Sequence, residues 1–320
     1  MSTSSSARFD AYYDDCMNEI EELSTLADEE ETGMTGLTNQ GYSCYVNCVL
    51  QSLLNTPKFA FLYIMKALKP YINSNNTRGT KGAITGSLSA VADCFWSTKF
   101  KSVNTKDFLR AFSREINADF DGKAEEDAHE FQMLLLDRLA EDVNRINLSV
   151  SLATDGKSNA RKLEPPPINL ITCLNAHFEL WNEPAPNAES KTFSDRSIFG
   201  VYRKQTVKDS RAIDFPVDDL DMRRYIHPAS PDSSKETITL YSLYAIVAHT
   251  GTANTGHYTA RVKNLDRSTD FWQLFDDLDR RELQFRDVKT SAAYMLYYAR
   301  NAMSKVMTPE QISGEKRHNG

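Results

Sequence analysis

The sequence predicts an α+β protein in which a helical lobe precedes an antiparallel sheet. Residues 34–145 carry apolar side chains at helical spacing, whereas residues 190–300 carry short runs rich in β-branched and aromatic residues, separated by polar turns. A chain of 320 residues is long enough for one large two-lobed domain or for two average domains. The helical lobe is expected to form one wall of a cleft.

Residues 1–33 are interpreted as a flexible, solvated acidic arm outside the core. Between Asp10 and Glu31 they hold ten acidic residues, and such a charge density favours a hydrated chain over a packed one. The alternative is an arm that docks a partner or covers a functional site. A short helix could then be lined on one face by Tyr12, Tyr13, Met17, Ile20 and Leu23.

The first core helix is predicted to begin at Cys44, directly after a loop bracketed by Gly36 and Gly41, with Ser43 as its N-cap. It is expected to end before Pro57, because proline disfavours helix in the residue that precedes it. Further helices are predicted over residues 58–68, 84–95 and 125–144, and another after Thr105.

The second half of the chain reads as a linker followed by strands. Residues 149–167 contain a proline run and a polar turn, which indicate a linker. Strands are predicted over residues 196–207, 237–249, 257–263, 271–275 and 294–300, and their short polar connections favour antiparallel pairing. Residues 301–320 form a polar tail that is expected to fray.

Charge and cysteine content restrict the classes of partner. The net charge is -7 and no block of basic residues is present, so nucleic acid is not expected as a partner. An acidic surface suits a basic protein partner instead. The five cysteines are scattered without a CxxC pair, which argues against a zinc site and favours a reducing compartment. No apolar run approaches the roughly 18 residues of a membrane span.

Cys44 is the candidate nucleophile. A thiol at a helix N-terminus is favoured in its thiolate form by the partial positive charge there. The backbone amides around Cys44 and the side chain of Asn39 are placed to face an oxyanion. The alternative is an ordinary buried cysteine, because a catalytic thiol also needs a histidine and a group that orients it.

His257 and Asp276 supply these two groups. His257 opens a strand directly after Gly256, where a backbone can approach a substrate closely, and Asp276 ends a second strand. Two adjacent antiparallel strands would bring Asp276 against His257 and fix the tautomer of the ring. A lone histidine on a strand is more often structural, but the cysteine loop makes the catalytic interpretation the stronger one. His249, at the end of the preceding strand, is equally consistent with a structural role.

Five segments stand out in order along the chain: Gly36-Leu-x-Asn-x-Gly-x-Ser-Cys-Tyr-x-Asn-x-x-Leu-Gln51, Glu126-Asp-Ala-His-Glu-Phe131, Pro216-Val-Asp-Asp-Leu-Asp-Met222, Gly256-His-Tyr-Thr-Ala260 with Trp272…Phe275-Asp-Asp277, and Ala293-Tyr-Met-Leu-Tyr-Tyr-Ala-Arg300. The first resembles the cysteine box of the ubiquitin-specific proteases, and the fourth resembles their histidine box. The second resembles the acidic helix motif that lies between these boxes. The resemblance covers roughly residues 34–300.

The resemblance implies a papain-like fold, with a helical thumb lobe and an antiparallel β palm lobe, in a catalytic domain over residues 34–300. It implies a deubiquitinase that hydrolyses the peptide or isopeptide bond after the C-terminal glycine of ubiquitin. Cys44 would be the nucleophile, His257 the base and then the acid, and Asp276 the orienting carboxylate, with Asp277 as its substitute. Asn39 and the Cys44 amide would bind the oxyanion.

For substrate binding, the resemblance places Asp127 where the family has an acid that receives the backbone of the ubiquitin tail. From the sequence alone, Asp127 is a first-turn carboxylate that complements the helix dipole. Gly256 and Tyr258 are the further candidates for substrate contact. No cofactor and no metal are expected. The expected partners are ubiquitin and ubiquitinated proteins, without nucleic acid or membrane, in the cytoplasm or nucleus; the oligomeric state stays open.

The sequence also departs from the family pattern. Only 125 residues lie between Phe131 and His257, and they contain neither the two CxxC pairs nor the Leu-x-Arg-Phe-like strand of the usual finger region. The fingers are therefore expected to be reduced or absent. Glu125 stands where a glutamine is usual. These departures keep two alternatives open: a catalytically impaired ubiquitin-binding scaffold, and a protease for another ubiquitin-like modifier.

Overall fold

The computed structural model describes residues 6–27, 35–144, 214–225, 240–252, 255–263 and 271–300. The predicted linker at 149–167, the predicted strand at 196–207 and the polar tail at 301–320 lie outside these ranges. Within them, an α+β fold with a helical lobe and an antiparallel sheet confirms the predicted fold class. No helix in the described ranges combines the length and the apolar character that crossing a membrane requires.

The helical lobe is built around one buried helix. Its helices are α1 (Ala7–Leu23), α2 (Cys44–Leu54), α3 (Pro57–Ile64), α4 (Ala83–Phe95), α5 (Lys106–Glu115) and α6 (Ala128–Val143). Every residue of α2 is buried, because α3 and α6 pack on it from the helical lobe and sheet strands pack on it from the other side. Pro57 is the first residue of α3, a position at which its fixed φ and missing N–H are tolerated.

A small sheet connects the start of the chain to the cysteine loop. It consists of β1 (Thr25–Leu26), β2 (Gly36–Leu37) and β3 (Phe100–Val103), in the order β1-β3-β2. β2 runs parallel to β3, whereas β1 runs antiparallel to it. These strands are absent from the sequence-based prediction, because strands of two to four residues are too short to show a detectable alternation.

The large sheet is antiparallel, as predicted. Its strands are β4 (Leu220–Asp221), β5 (Leu240–Gly251), β6 (Gly256–Lys263), β7 (Trp272–Asp276), β8 (Asp279–Leu283) and β9 (Ala293–Arg300). The order is β4-β5-β6-β7-β8, with β9 paired to β5. β8 was not predicted, because its charged sequence lacks an apolar face. α2 packs against β6, so the helix that begins at Cys44 lies on the strand that carries His257.

The prediction of a solvated acidic arm is wrong for residues 7–23. These residues form α1, which packs against α4 of the same chain and buries Phe9, Cys16 and Ile20. The contact is close enough that a Cβ on Gly86 of α4 would overlap the carbonyl oxygen of Phe9. The three buried side chains share one helical face, and the acidic residues lie mainly on the others. Tyr12, Tyr13 and Met17, which the sequence places with Ile20 on one apolar helix face, are partly buried against the same core.

Replacing Phe9 with alanine should destabilise the protein, because the ring is fully buried at this helix contact. We expect the free energy of unfolding, measured by chemical denaturation, to fall by about 3–5 kcal/mol. Glu22→Ala, on the exposed side of α1, is the matched control and should change it little. Equal stability of the Phe9 variant and the parent would mean that α1 is not packed as described.

Candidate active site

Cys44 is the first residue of α2 and is 5% exposed. Burial raises the pKa of its thiol above the ordinary value, and the negative charges of Asp277 and Glu125 raise it further. The backbone amides of Tyr258 and Tyr45 act in the opposite direction and lower the pKa, but the pKa stays above the ordinary value. The helix N-terminus therefore does not activate this thiol by itself, and Cys44 depends on a base for deprotonation, as the predicted role of His257 requires.

The loop before Cys44 is held by side chains rather than by a conventional helix cap. Ser43 occupies the N-cap position, but its Oγ accepts the N–H of Gln40 at 2.7 Å and makes no capping bond to the helix. The Asn39 side-chain oxygen accepts the N–H groups of Gly41 at 3.0 Å and of Ser43 at 3.1 Å. Ser43 thus occupies the predicted N-cap position without making a capping bond to the helix. Asn39 accepts the hydrogen bonds that hold the loop.

His257 and Asp276 meet as the sequence predicts. β6 and β7 are adjacent antiparallel strands with Ala260 opposite Phe275, and they bring His257 Nε2 within 2.6 Å of Asp276 Oδ1. Because the carboxylate engages Nε2, Nδ1 is the ring nitrogen left for proton exchange with a thiol. The backbone amide of the following residue, Tyr258, lowers the pKa of the Cys44 thiol. The base and an amide that acts on the candidate nucleophile therefore belong to consecutive residues of one strand.

Asp277 has different partners from Asp276. Its Oδ2 accepts the Asn39 side-chain amide and its Oδ1 accepts the Asn47 side-chain amide, each at 2.8 Å. Its backbone oxygen accepts the N–H of Leu37 at 3.0 Å. Asp277 therefore connects the cysteine loop to the end of β7. This contact differs from the predicted role of Asp277, which was to replace Asp276 as the partner of His257. The Asp277 backbone lies in the left-handed region, with φ of 52°.

Asn47 is the residue of this network to which sequence reasoning assigned no role. It is 2% exposed, lies three residues after Cys44, and was noted only as a member of the cysteine motif. The available signal was an amide at a buried position of an otherwise apolar helix, because a buried amide needs hydrogen-bond partners. Asn39 likewise commits one side-chain N–H to Asp277, and its role toward an oxyanion stays a prediction.

In the described residues, one group of three potential metal ligands has its ligand atoms within 4.8 Å of one another: His257, Asp276 and Asp277. The imidazole and the first carboxylate bond each other, and the second carboxylate bonds two asparagine amides. Hydrogen bonding accounts for this cluster, and we assign no metal to it.

Asp127 is the N-cap of α6. Its Oδ1 accepts the N–H groups of His129 at 2.8 Å and of Glu130 at 3.2 Å. The Tyr294 hydroxyl donates to both carboxylate oxygens, at 2.9 and 2.8 Å. Asp127 therefore complements the helix terminus, and it also links α6 to β9. Its contact with a substrate stays a prediction.

Gly256 and Tyr258 lie beside Asp127 around an aromatic group. The ring centroids of His249 and Tyr258 are 4.5 Å apart, and those of Tyr258 and Tyr294 are 5.8 Å apart. A Cβ on Gly256 would overlap the His249 ring and lie 2.5 Å from the Thr250 carbonyl oxygen. His249 thus packs beside the candidate site, against Tyr258. Because the His249 ring and the Thr250 carbonyl leave no room for a side chain, position 256 requires glycine.

The comparison with protein families decides which family this site belongs to. The family model described as ubiquitin carboxyl-terminal hydrolase matches residues 35–298. The chain belongs to the ubiquitin carboxyl-terminal hydrolase family. This membership confirms the family that the motifs predict. The match begins after α1, so the helix that packs on α4 lies outside it.

Curated relatives are similar to parts of this family member. This chain is 31% identical over 163 residues to ubiquitin carboxyl-terminal hydrolase 5 of Arabidopsis thaliana. The aligned region covers 44% of this chain and 17% of the relative. The chain is 33% identical over 117 residues to ubiquitin carboxyl-terminal hydrolase 15 of Homo sapiens, and this aligned region covers 37% of this chain and 12% of the relative. The chain therefore matches only a small part of the length of these proteins.

A solved structure has a similar fold. The structure of the SAGA Ubp8/Sgf11/Sus1/Sgf73 DUB module bound to ubiquitin aldehyde matches with a TM-score of 0.53 and 20% sequence identity. The match covers 91% of this chain and 74% of that chain. At this identity the likeness supports the fold of the family member, including its two lobes.

Replacing Asp277 with alanine should release the loop before Cys44, because the side-chain amides of Asn39 and Asn47 lose their shared acceptor. An unsatisfied buried donor costs roughly 1–3 kcal/mol. We expect faster hydrogen exchange of the Gly41 and Ser43 amides, measured by mass spectrometry on peptides from this loop. Asp279→Ala, two residues along in exposed β8, is the control. Unchanged exchange in the Asp277 variant would show that this carboxylate does not hold the loop.

Proposed function

We propose that this chain is a thiol-dependent deubiquitinase that hydrolyses the peptide or isopeptide bond after the C-terminal glycine of ubiquitin. The observation that carries the proposal is geometric: His257 bonds Asp276 at 2.6 Å, and the two strands that hold this pair pack against the helix that begins at Cys44. Membership of the ubiquitin carboxyl-terminal hydrolase family supports the reaction class. The names of the relatives support the same class.

The first chemical step transfers the Cys44 proton to His257. A base is needed because burial and two carboxylates raise the pKa of this thiol. The thiolate then attacks the carbonyl carbon of the ubiquitin glycine, and the carbonyl oxygen takes up the negative charge. Asn39 and the Cys44 amide are the proposed donors to that oxygen, a role worth about 3 kcal/mol of barrier for each donor.

The second step expels the amine. The protonated His257 gives its proton to the leaving nitrogen, the carbon–nitrogen bond breaks, and a thioester joins Cys44 to ubiquitin. Asp276 stabilises the imidazolium that exists between these proton transfers. Water, deprotonated by His257, then hydrolyses the thioester and regenerates the thiol. The sequence of steps needs no cofactor.

Ubiquitin and ubiquitinated proteins are the proposed partners, and neither nucleic acid nor membrane is proposed. A solved structure with a similar fold is bound to ubiquitin aldehyde. The net charge of -7 suits a basic protein partner. The tail of the substrate would pass Asp127, Gly256 and Tyr258, which lie on the lobes that face each other near Cys44.

The proposed compartment is the cytoplasm or the nucleus. The described cysteines, which are Cys16, Cys44, Cys48 and Cys94, carry free thiols. A catalytic thiol and free buried cysteines both suit a reducing environment.

The proposal predicts that Cys44→Ser loses at least about a thousandfold in kcat/KM, because a serine hydroxyl is a much weaker acid and nucleophile than the thiol for which this site is arranged. The substrate is ubiquitin that carries a fluorogenic amide at its C-terminus. Cys48→Ser is the matched control, because Cys48 is buried one turn away and donates to the Tyr45 carbonyl oxygen, which a hydroxyl can also do.

A Cys44 variant with the rate of the parent would reject Cys44 as the nucleophile. A folded parent that binds ubiquitin but does not hydrolyse this substrate would instead support the scaffold alternative. Hydrolysis of the equivalent substrate built on another ubiquitin-like modifier, without hydrolysis of the ubiquitin substrate, would reassign the modifier.

A further inference from the structure

Glu125 joins the helical lobe to the first residue of the strand that carries His257. It lies two residues before Asp127, the N-cap of α6, and is half-buried. Its Oε2 accepts the backbone N–H of Gly256 at 2.6 Å. Because β6 begins at Gly256, this bond ties the start of β6 to the loop before α6.

The position of this bond relates it directly to the reacting groups. Gly256 is followed by His257, which bonds Asp276, and by Tyr258, whose backbone amide lowers the pKa of the Cys44 thiol. A shift of the Gly256 amide would therefore move the base and the Tyr258 amide together.

The acid at position 125 has two effects that oppose each other. A carboxylate accepts an N–H more strongly than a neutral amide oxygen does, which fixes the strand. The same negative charge disfavours a thiolate nearby, and it contributes to the raised pKa of Cys44. Glutamine, which is usual at this position in the family that the motifs resemble, would provide the acceptor without the charge.

We propose that Glu125 is a positioning residue that fixes the His257 strand through the Gly256 amide and restrains the reactivity of Cys44 through its charge. The part of the proposal that concerns turnover rests on the proposed function. The parts that concern strand position and thiol reactivity can be measured without ubiquitin.

Other ionisable groups also face Cys44. Asp277 adds negative charge from the end of β7, and Cys48 lies one turn along the same helix. Among the described residues, Tyr45 on α2 and Tyr258 on β6 also interact electrostatically with Cys44, and His257 precedes Tyr258 on the same strand. Only a variant that changes Glu125 and leaves these groups in place isolates its charge.

Glu126 provides the matched control. It is the next residue of the same loop and carries the same charge. Its charge raises the pKa of Tyr45, whereas the carboxylates that chiefly raise the pKa of Cys44 are Asp277 and Glu125. The Gly256 N–H donates to Glu125, so Glu126→Gln leaves this hydrogen bond in place.

The experiment compares the parent with Glu125→Gln, Glu125→Ala and Glu126→Gln. Alkylation of Cys44 by iodoacetamide is followed from about pH 6 to about pH 10, with peptide mass spectrometry to identify the modified cysteine. Hydrogen exchange of the Gly256 amide is measured on the same proteins. Thermal melting checks that each variant is folded.

We expect both Glu125 variants to alkylate faster than the parent, by roughly two- to fivefold at neutral pH, with their pH profiles displaced to lower pH. Gly256 exchange should accelerate in Glu125→Ala and stay close to the parent in Glu125→Gln, because glutamine keeps the acceptor. On the ubiquitin substrate, kcat should fall about tenfold in the alanine variant and recover in the glutamine variant. Glu126→Gln should match the parent in all three measurements.

Parent-like alkylation of Glu125→Gln would overturn the effect of the charge, and this near-isosteric variant decides the point even if Glu125→Ala does not fold. Gly256 exchange that is equal in Glu125→Gln and Glu125→Ala would overturn the positioning role. Equal displacement in Glu126→Gln would mean that the effect is not specific to Glu125. If the parent hydrolyses no ubiquitin substrate, the proposed function fails, and alkylation and exchange still decide the role of Glu125.

Discussion

The packing of α2 against β6 is the contact on which the site depends. α2 is buried along its whole length, so its N-terminus cannot move independently of the strand beside it. This contact places the Cys44 thiol in a protected position and also raises its pKa, because burial disfavours the thiolate. On the same strand, the Tyr258 amide lowers this pKa, and His257 lies one residue away. Because burial disfavours the thiolate, Cys44 needs a base. His257, the proposed base, lies on β6, the same strand whose packing against α2 buries Cys44.

The two adjacent aspartates show how the end of β7 serves both lobes. Asp276 points to the imidazole and, at 49% side-chain exposure, retains contact with solvent. Asp277 points to the cysteine loop, where Asn39 and Asn47 donate to its two oxygens. The two residues have the same side chain but different partners. The end of β7 therefore orients the base through Asp276 and fixes the loop before the nucleophile through Asp277. Glu125 makes a comparable connection from the helical lobe, through the amide of Gly256.

The sequence predicted the parts of this site that depend on local pattern. The start of α2 at Cys44 followed from apolar spacing after a glycine-bracketed loop, and the His257–Asp276 pair followed from two adjacent strands. The carboxamide contacts of Asp277 could not be predicted, because they join residues about 230 positions apart along the chain. The packing of α1 was missed for another reason: an apolar helix face was recognised, but the number of acidic residues favoured a solvated arm, and the partner surface on α4 is formed only in the fold.

We propose that Cys44 is presented to the C-terminus of ubiquitin by a site that is already assembled. The most direct measurement is the reaction of the folded protein with ubiquitin that carries an electrophile in place of its C-terminal carboxylate, followed by intact mass and peptide mapping. We expect a single adduct on Cys44 that is lost in Cys44→Ala. The absence of an adduct on folded protein, or an adduct at a different cysteine, would contradict it.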